Sequence, residues 1–132
     1  NQEPIPEFKL KNAIVNFSEK VQNEQLKVQT AIHGLENFKN SQTSISIFRI
    51  LQELVNNTIK HAEATTLIIY ITKNVDHINV MVEDDGKGFD IQQISHGIGL
   101  KNLRKQVQII EGNYHIDSSE KRGTTVNIDV PI

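Results

Sequence analysis

The sequence predicts an α/β fold, a two-layer sandwich in which a mixed, mostly antiparallel sheet of about five strands carries three helices on one face. Three observations predict it. Three segments repeat apolar residues at helical steps, and five short segments are β-branched or alternating. The strand segments also come in neighbouring pairs joined by short turns. That pattern argues against a doubly wound parallel sheet.

Residues 1–9, with Pro4 and Pro6, read as an irregular lead-in. Leu10, Ala13, Ile14, Phe17 and Val21 then share one helical face. Lys27–His33 is a short strand closed by Gly34, and Glu36–Thr43 reads as a polar loop. The strongest helix spans about Ser46–Ala62, capped by Ser44 or Ser46, with Ile47, Ile50, Leu51, Leu54, Val55, Thr58 and Ala62 forming a broad apolar stripe. Leu67–Thr72 is a buried strand. Ile78–Asp84 alternates on its even positions, and Asp76-His77 lies in the turn between these two strands. Asp85–Gly97 is a glycine-punctuated loop. Leu100, Leu103, Val107 and Ile110 form the third helix, with Gly112 as its stop signal. Tyr114–Ser118 and Thr124–Val130 complete the sheet, with Arg122-Gly123 in their turn.

With 132 residues the chain fits one domain. Its 37% hydrophobic and 23% charged composition reads as globular rather than disordered. A formal charge of −2 offers no bulk attraction to nucleic acid. The absence of cysteine excludes a disulfide scaffold and a thiolate metal site. No apolar run approaches membrane-spanning length, and the polar start does not resemble a signal peptide. The only methionine is Met81, so the expectation is a fragment of a longer protein.

Four groups of residues could carry chemistry. Glu53 and Asn57 stack one helical turn apart, and Lys60 and His61 extend the strip. Asn57 and His61 border the apolar stripe and are expected half-buried at its rim. An ordinary solvated helix face would show the same spacing. Asp84 continues the inward parity of Ile78, Val80 and Val82, so its carboxylate should enter the core side, where it needs donors from the protein or a ligand. The following Asp85-Gly86-Lys87-Gly88 is a tight turn that either simply ends a strand or lets a flat ligand approach the backbone. Gly97-Ile98-Gly99-Leu100 precedes the third helix and is either a plain junction or an anion-facing terminus. Thr124 shares the parity of Val126, Ile128 and Val130, which makes it a neighbour of Asp84 unless the backbone satisfies it.

In order, these segments read QELVNNTIKH, VEDDGKGF, GIGLKNLR and RGTTVNIDV. Together they resemble the nucleotide-binding domain shared by histidine kinases, DNA gyrase, heat-shock chaperone ATPases and mismatch-repair ATPases, known as the GHKL or Bergerat fold. The resemblance covers about Leu10–Pro131. It implies ATP and Mg²⁺ as ligands, with Asn57 holding the metal. It implies that Glu53 orients or deprotonates the attacking group, and that Lys60 (with Glu53, a catalytic candidate) and His61 meet the phosphates. It implies that Asp84 accepts a hydrogen bond from the adenine 6-amino group, that adenine packs over Gly86 and Gly88, and that Thr124 supports the adenine site. Gly97 and Gly99, with Leu100 completing the motif, match the hinge of a lid over the phosphates.

Within that superfamily, the short segment between Gly88 and Gly97, and the stretch GLENFKNSQTSISIFRILQELVNNTIKHA, resemble the small-lid sensor kinases that pair with LuxR-type response regulators. The resemblance implies a cytoplasmic catalytic domain, a homodimeric parent that could be membrane-anchored, and transfer of the γ-phosphate to a histidine on dimerisation helices. No such acceptor is visible. None of His33, His61, His77, His96 or His115 is followed by an acidic residue, and the lid of larger kinases is represented only by Phe89. An anti-sigma-factor serine kinase of the same fold and a docking pseudokinase are the alternatives.

Overall fold

The structure, a computed structural model, describes residues 9–88 and 98–132, with only the backbone described at 98–100. Helix α1 (Leu10–Val21) buries Leu10, Ile14 and Ser18. Its Phe17 meets Phe48 edge-on, with ring centroids 5.9 Å apart and planes at 81°. The chain then turns on Asn23, whose side-chain oxygen accepts from the amides of Gln25 and Leu26 at 2.8 and 2.9 Å. Strand β1 follows at Lys27–His33, the predicted span.

Helix α2 is Ser41–Asn57, so it begins inside the stretch expected to be loop. Its cap is Asn40, whose side chain accepts from the Thr43 amide at 3.1 Å, not Ser44 or Ser46, which are both buried. The first turn is polar, so apolar periodicity could not register it. The helix then widens into a π-helical turn at Thr58–Ala62, which ends at Glu63 in the left-handed region (φ 52°).

Four more strands and one helix complete the chain. They are β2 (Thr66–Lys73), β3 (His77–Asp84), α3 (Ile98–Ile109), β4 (Asn113–Ser119) and β5 (Gly123–Pro131). The α3 stop differs from expectation. Glu111, not Gly112, takes the left-handed conformation (φ 56°), and the Gly112 amide reaches back to the Val107 carbonyl at 2.9 Å. A side chain at Gly112 would press within 2.8 Å of the Asp129 carbonyl, so the glycine serves close packing against β5 instead.

The five-stranded sheet has the order β1-β2-β3-β5-β4, with β1 parallel to β2 and every other pair antiparallel. One face is apolar and buried: Leu67, Ile69 and Ile71 on β2, Ile78, Val80 and Val82 on β3, and Val126, Ile128 and Val130 on β5. Ile14, Ile47, Ile50, Leu51, Val55, Leu103 and Val107 cover it from the helices. Each such side chain contributes about 1.5–3 kcal/mol on burial. A one-residue slip of any strand would expose its whole row, so the pattern fixes the register. The opposite face carries polar residues such as Asn79, Glu83, Asn127 and Asp129, with Asn79 donating to Asn127 and Asp129 at 2.7 and 2.9 Å. This is the two-layer arrangement the sequence predicts.

Candidate functional site

The inner face turns polar at one end. Register places Leu67 opposite Asp84, Asp84 opposite Thr124, and Thr124 opposite Ser118, so three polar side chains continue rows that are otherwise apolar. Asp84 and Thr124 are both 8% exposed, and Asp84 is the only charged side chain buried among the described residues. Thr124 and Ser118 share a hydrogen bond of 2.7 Å between their hydroxyls.

The Asp84 carboxylate is held from two sides. Its Oδ1 accepts from the Gly86 amide at 2.8 Å, and its Oδ2 lies 3.4 Å from the Thr58 hydroxyl, which also reaches the Leu54 carbonyl at 3.2 Å. Burial pushes the Asp84 carboxyl above the ordinary carboxylate value. The Gly86 amide, the Thr58 hydroxyl and the Thr124 amide oppose that rise without cancelling it. The expectation that Asp84 points inward beside Thr124 therefore matches the geometry. Thr58 stands in the apolar stripe, and nothing in its spacing announces a contact with Asp84. Ser118 could have been found from its parity with Ile116 and Tyr114.

The turn after Asp84 is packed against two other segments. The Lys87 amide donates to the Ala62 carbonyl at 2.8 Å, and the Lys121 amide donates to the Lys87 carbonyl at 2.8 Å. A Cβ at Gly86 would overlap the Ala62 carbonyl and approach Asp84 Oδ1 to 2.9 Å. Gly88 has φ +69°, and a Cβ there would overlap the Ser119 carbonyl. Both glycines are thus demanded by the chain's own crossing, whatever ligand passes over them.

Above this end of the sheet, α2 presents Glu53 and Asn57, both half-buried. Neither side chain bonds to another described residue. Lys60 and His61 lie on the π-helical turn and are exposed. For His61 this corrects the expected half-burial. A π turn holds more residues per revolution than an α turn, so the α-helical phase that placed His61 at the rim no longer applies after Asn57. Gly99 and Leu100 fall in the first turn of α3, while Gly97, Phe89, His96 and the segment expected to be a lid lie outside the described residues.

No group of three or more His, Cys, Asp or Glu side chains among the described residues could hold a metal ion. The available donors at the helix are one amide and one carboxylate. That set suits a cation which takes most of its ligands from phosphate and water, as Mg²⁺ does. Among the described residues no helix is long and apolar enough to cross a membrane.

Comparison with known proteins agrees with this geometry. The chain is 30% identical over 125 residues, 93% of its length, to the sensor protein VraS of Staphylococcus saprophyticus. It is 33% identical over 95 residues to the signal transduction histidine-protein kinase/phosphatase DegS of Bacillus subtilis, a match covering 69% of this chain. It spans 34% of VraS and 25% of DegS. Among solved structures, the histidine kinase domain of the Erythrobacter litoralis EL346 blue-light activated kinase superposes with a TM-score of 0.71 at 22% identity, covering 92% of this chain and 58% of that one. The Acinetobacter baumannii histidine kinase AdeS superposes with a TM-score of 0.72 at 15% identity, covering 92% and 62%. These two likenesses establish the shared fold. The sequence profile of one family matches residues 42–132, from α2 through β5: the chain belongs to the histidine kinase-, DNA gyrase B- and HSP90-like ATPase family.

Proposed function

We propose that this domain binds ATP with Mg²⁺ and donates the γ-phosphate to a histidine on a dimerisation segment, as the catalytic part of a two-component sensor kinase. The observation that carries the reading is Asp84. A buried carboxylate facing the core side, whose carboxyl stays raised despite the Gly86 amide, the Thr58 hydroxyl and the Thr124 amide, is costly unless a further donor completes it. An adenine amino group is such a donor. Thr124 and Ser118 stand beside it to hold the base or a bridging water.

In this reading Glu53 aligns the attacking imidazole, and Lys60 and His61, exposed on the π turn, meet phosphate oxygens. Asn57 offers its amide oxygen to Mg²⁺, which when bound neutralises phosphate charge. Phosphoryl transfer depends mainly on such positioning and charge neutralisation. The reading extends to a homodimeric parent, a LuxR-type response regulator as its partner, and a cytoplasmic location. Similarity to VraS and DegS supports the kinase assignment.

Mixed with γ-labelled ATP and a dimerisation segment bearing an acceptor histidine, the domain should label that histidine with an acid-labile, alkali-stable phosphate. Label appearing on serine would contradict the proposal. ADP binding should also weaken on acidification, beginning above the ordinary carboxylate range, because protonating Asp84 removes an acceptor and its carboxyl is raised by burial. Calorimetric titrations across acidic pH read this directly, and an affinity that stays flat down to the ordinary aspartate value of 3.8 would count against it.

A further inference from the structure

Asp85, beside the proposed adenine acceptor, points away from the site and is exposed, yet its carboxylate accepts three hydrogen bonds. Its Oδ1 accepts from the amides of Thr65 and Thr66 at 2.8 and 2.9 Å, and its Oδ2 accepts from the Thr65 hydroxyl at 2.6 Å. Its own amide donates to the Thr66 carbonyl at 3.2 Å. The Thr65 hydroxyl, followed by the Thr66 amide, holds the Asp85 carboxyl below its ordinary value, so it stays charged through the neutral range.

The consequence lies one residue on either side. Asp84 and Gly86 flank Asp85, and the Gly86 amide at 2.8 Å lies closer to the Asp84 carboxylate than the Thr58 hydroxyl at 3.4 Å. The turn that presents this amide has Ala62 against Gly86 and β5 beyond it, but its peak is fastened to the start of β2 by Asp85 alone through side-chain bonds. Without the clamp the turn keeps only its backbone bonds, from the Asp85 amide to Thr66, from Lys87 to Ala62 and from Lys121 to Lys87, and the Gly86 amide is held less firmly against the Asp84 carboxylate. We infer that Asp85 is a positioning residue for base recognition: by pinning the 84–86 turn to Thr65 and Thr66, it aims the Asp84 carboxylate and so sets selectivity for a purine bearing an amino group.

This rests on the assignment of Asp84 to adenine, and the test separates the two. Calorimetry compares ADP with purine riboside diphosphate, which lacks the exocyclic amino group, on the parent chain, Asp85→Ala, Asp85→Asn and Thr65→Val. The parent should prefer ADP. Asp85→Ala should lower ADP affinity at least about ten-fold, the order found when partners that orient the ligands of a metal ion are removed. It should leave purine riboside diphosphate unchanged, so that the preference collapses. Asp85→Asn keeps a carbonyl oxygen for the two amides and should restore most of the preference. Thr65→Val removes only the hydroxyl donor and should fall between the parent and Asp85→Ala. Equal losses for both nucleotides in Asp85→Ala, or a preference that survives intact, would overturn the inference and leave Asp84's role standing. A parent chain that binds both nucleotides equally would overturn both.

Discussion

Asp84→Asn is expected to fold at least as stably as the parent chain while losing adenine nucleotide affinity. The two effects have one cause. Burial raises the Asp84 carboxyl, so between the ordinary value of 3.8 and the raised folded value the folded chain holds the proton more tightly than the unfolded chain. Asp84's contribution therefore falls as pH rises through that window, and at neutral pH the charged group is a net cost. An asparagine fits the same contacts. Its carbonyl oxygen can accept from Gly86, and its amide can donate to the Thr58 hydroxyl, whose own hydrogen has the Leu54 carbonyl to go to. Relief of such a functional burden typically gains about 0.5–2 kcal/mol, read as a higher unfolding midpoint at neutral pH. The nucleotide loses a hydrogen bond to a charged acceptor, worth about 1.5–3 kcal/mol, so ADP affinity should fall about 10- to 150-fold. A variant that is less stable and still binds ADP would contradict both halves. Asp85 runs the other way: its carboxyl is lowered by Thr65 and Thr66, so its contribution is present at neutral pH and is lost as pH falls below the ordinary value.

Gly88→Ala is expected to be the most damaging small substitution in the turn. The backbone sits at φ +69°, which an alanine adopts only under strain, and the added Cβ would overlap the Ser119 carbonyl while approaching its carbon to 2.7 Å. The obstacle is backbone of the β4–β5 turn, so no side-chain rotation relieves it. That turn is also tied to the same loop by the Lys121 amide on the Lys87 carbonyl. The cost should be about 2–4 kcal/mol, adding conformational strain to overpacking. Thermal unfolding should show a midpoint lower by about 10 °C. A midpoint within a degree or two of the parent would mean that the turn is not packed as described.

β3 and β5 are legible in the sequence because their apolar residues alternate. Ile78, Val80, Val82 and Asp84 point one way, and that parity alone is enough to single out the unusual carboxylate. The motif order identifies the family, since four weak signals at the right separations are jointly specific. Other features leave no periodic trace. The α2 start depends on one asparagine cap in a polar stretch, and serines further on look equally able to cap. The π turn comes from backbone spacing in Thr58–Ala62 and carries His61 out to solvent. Glu111 takes the left-handed position beside a glycine that is the more usual occupant, because β5 needs the room at Gly112. The Asp85 clamp joins residues about twenty positions apart, a pairing that only the register of β2 against β3 brings together.

The most direct test is a calorimetric titration with ADP, with and without Mg²⁺, of the parent chain, Asp84→Asn and Asn57→Ala. Saturable binding that Mg²⁺ strengthens, that Asp84→Asn weakens about 10- to 150-fold, and that Asn57→Ala strips of its Mg²⁺ dependence is the predicted result. A folded parent chain that binds no adenine nucleotide under either condition would contradict the account.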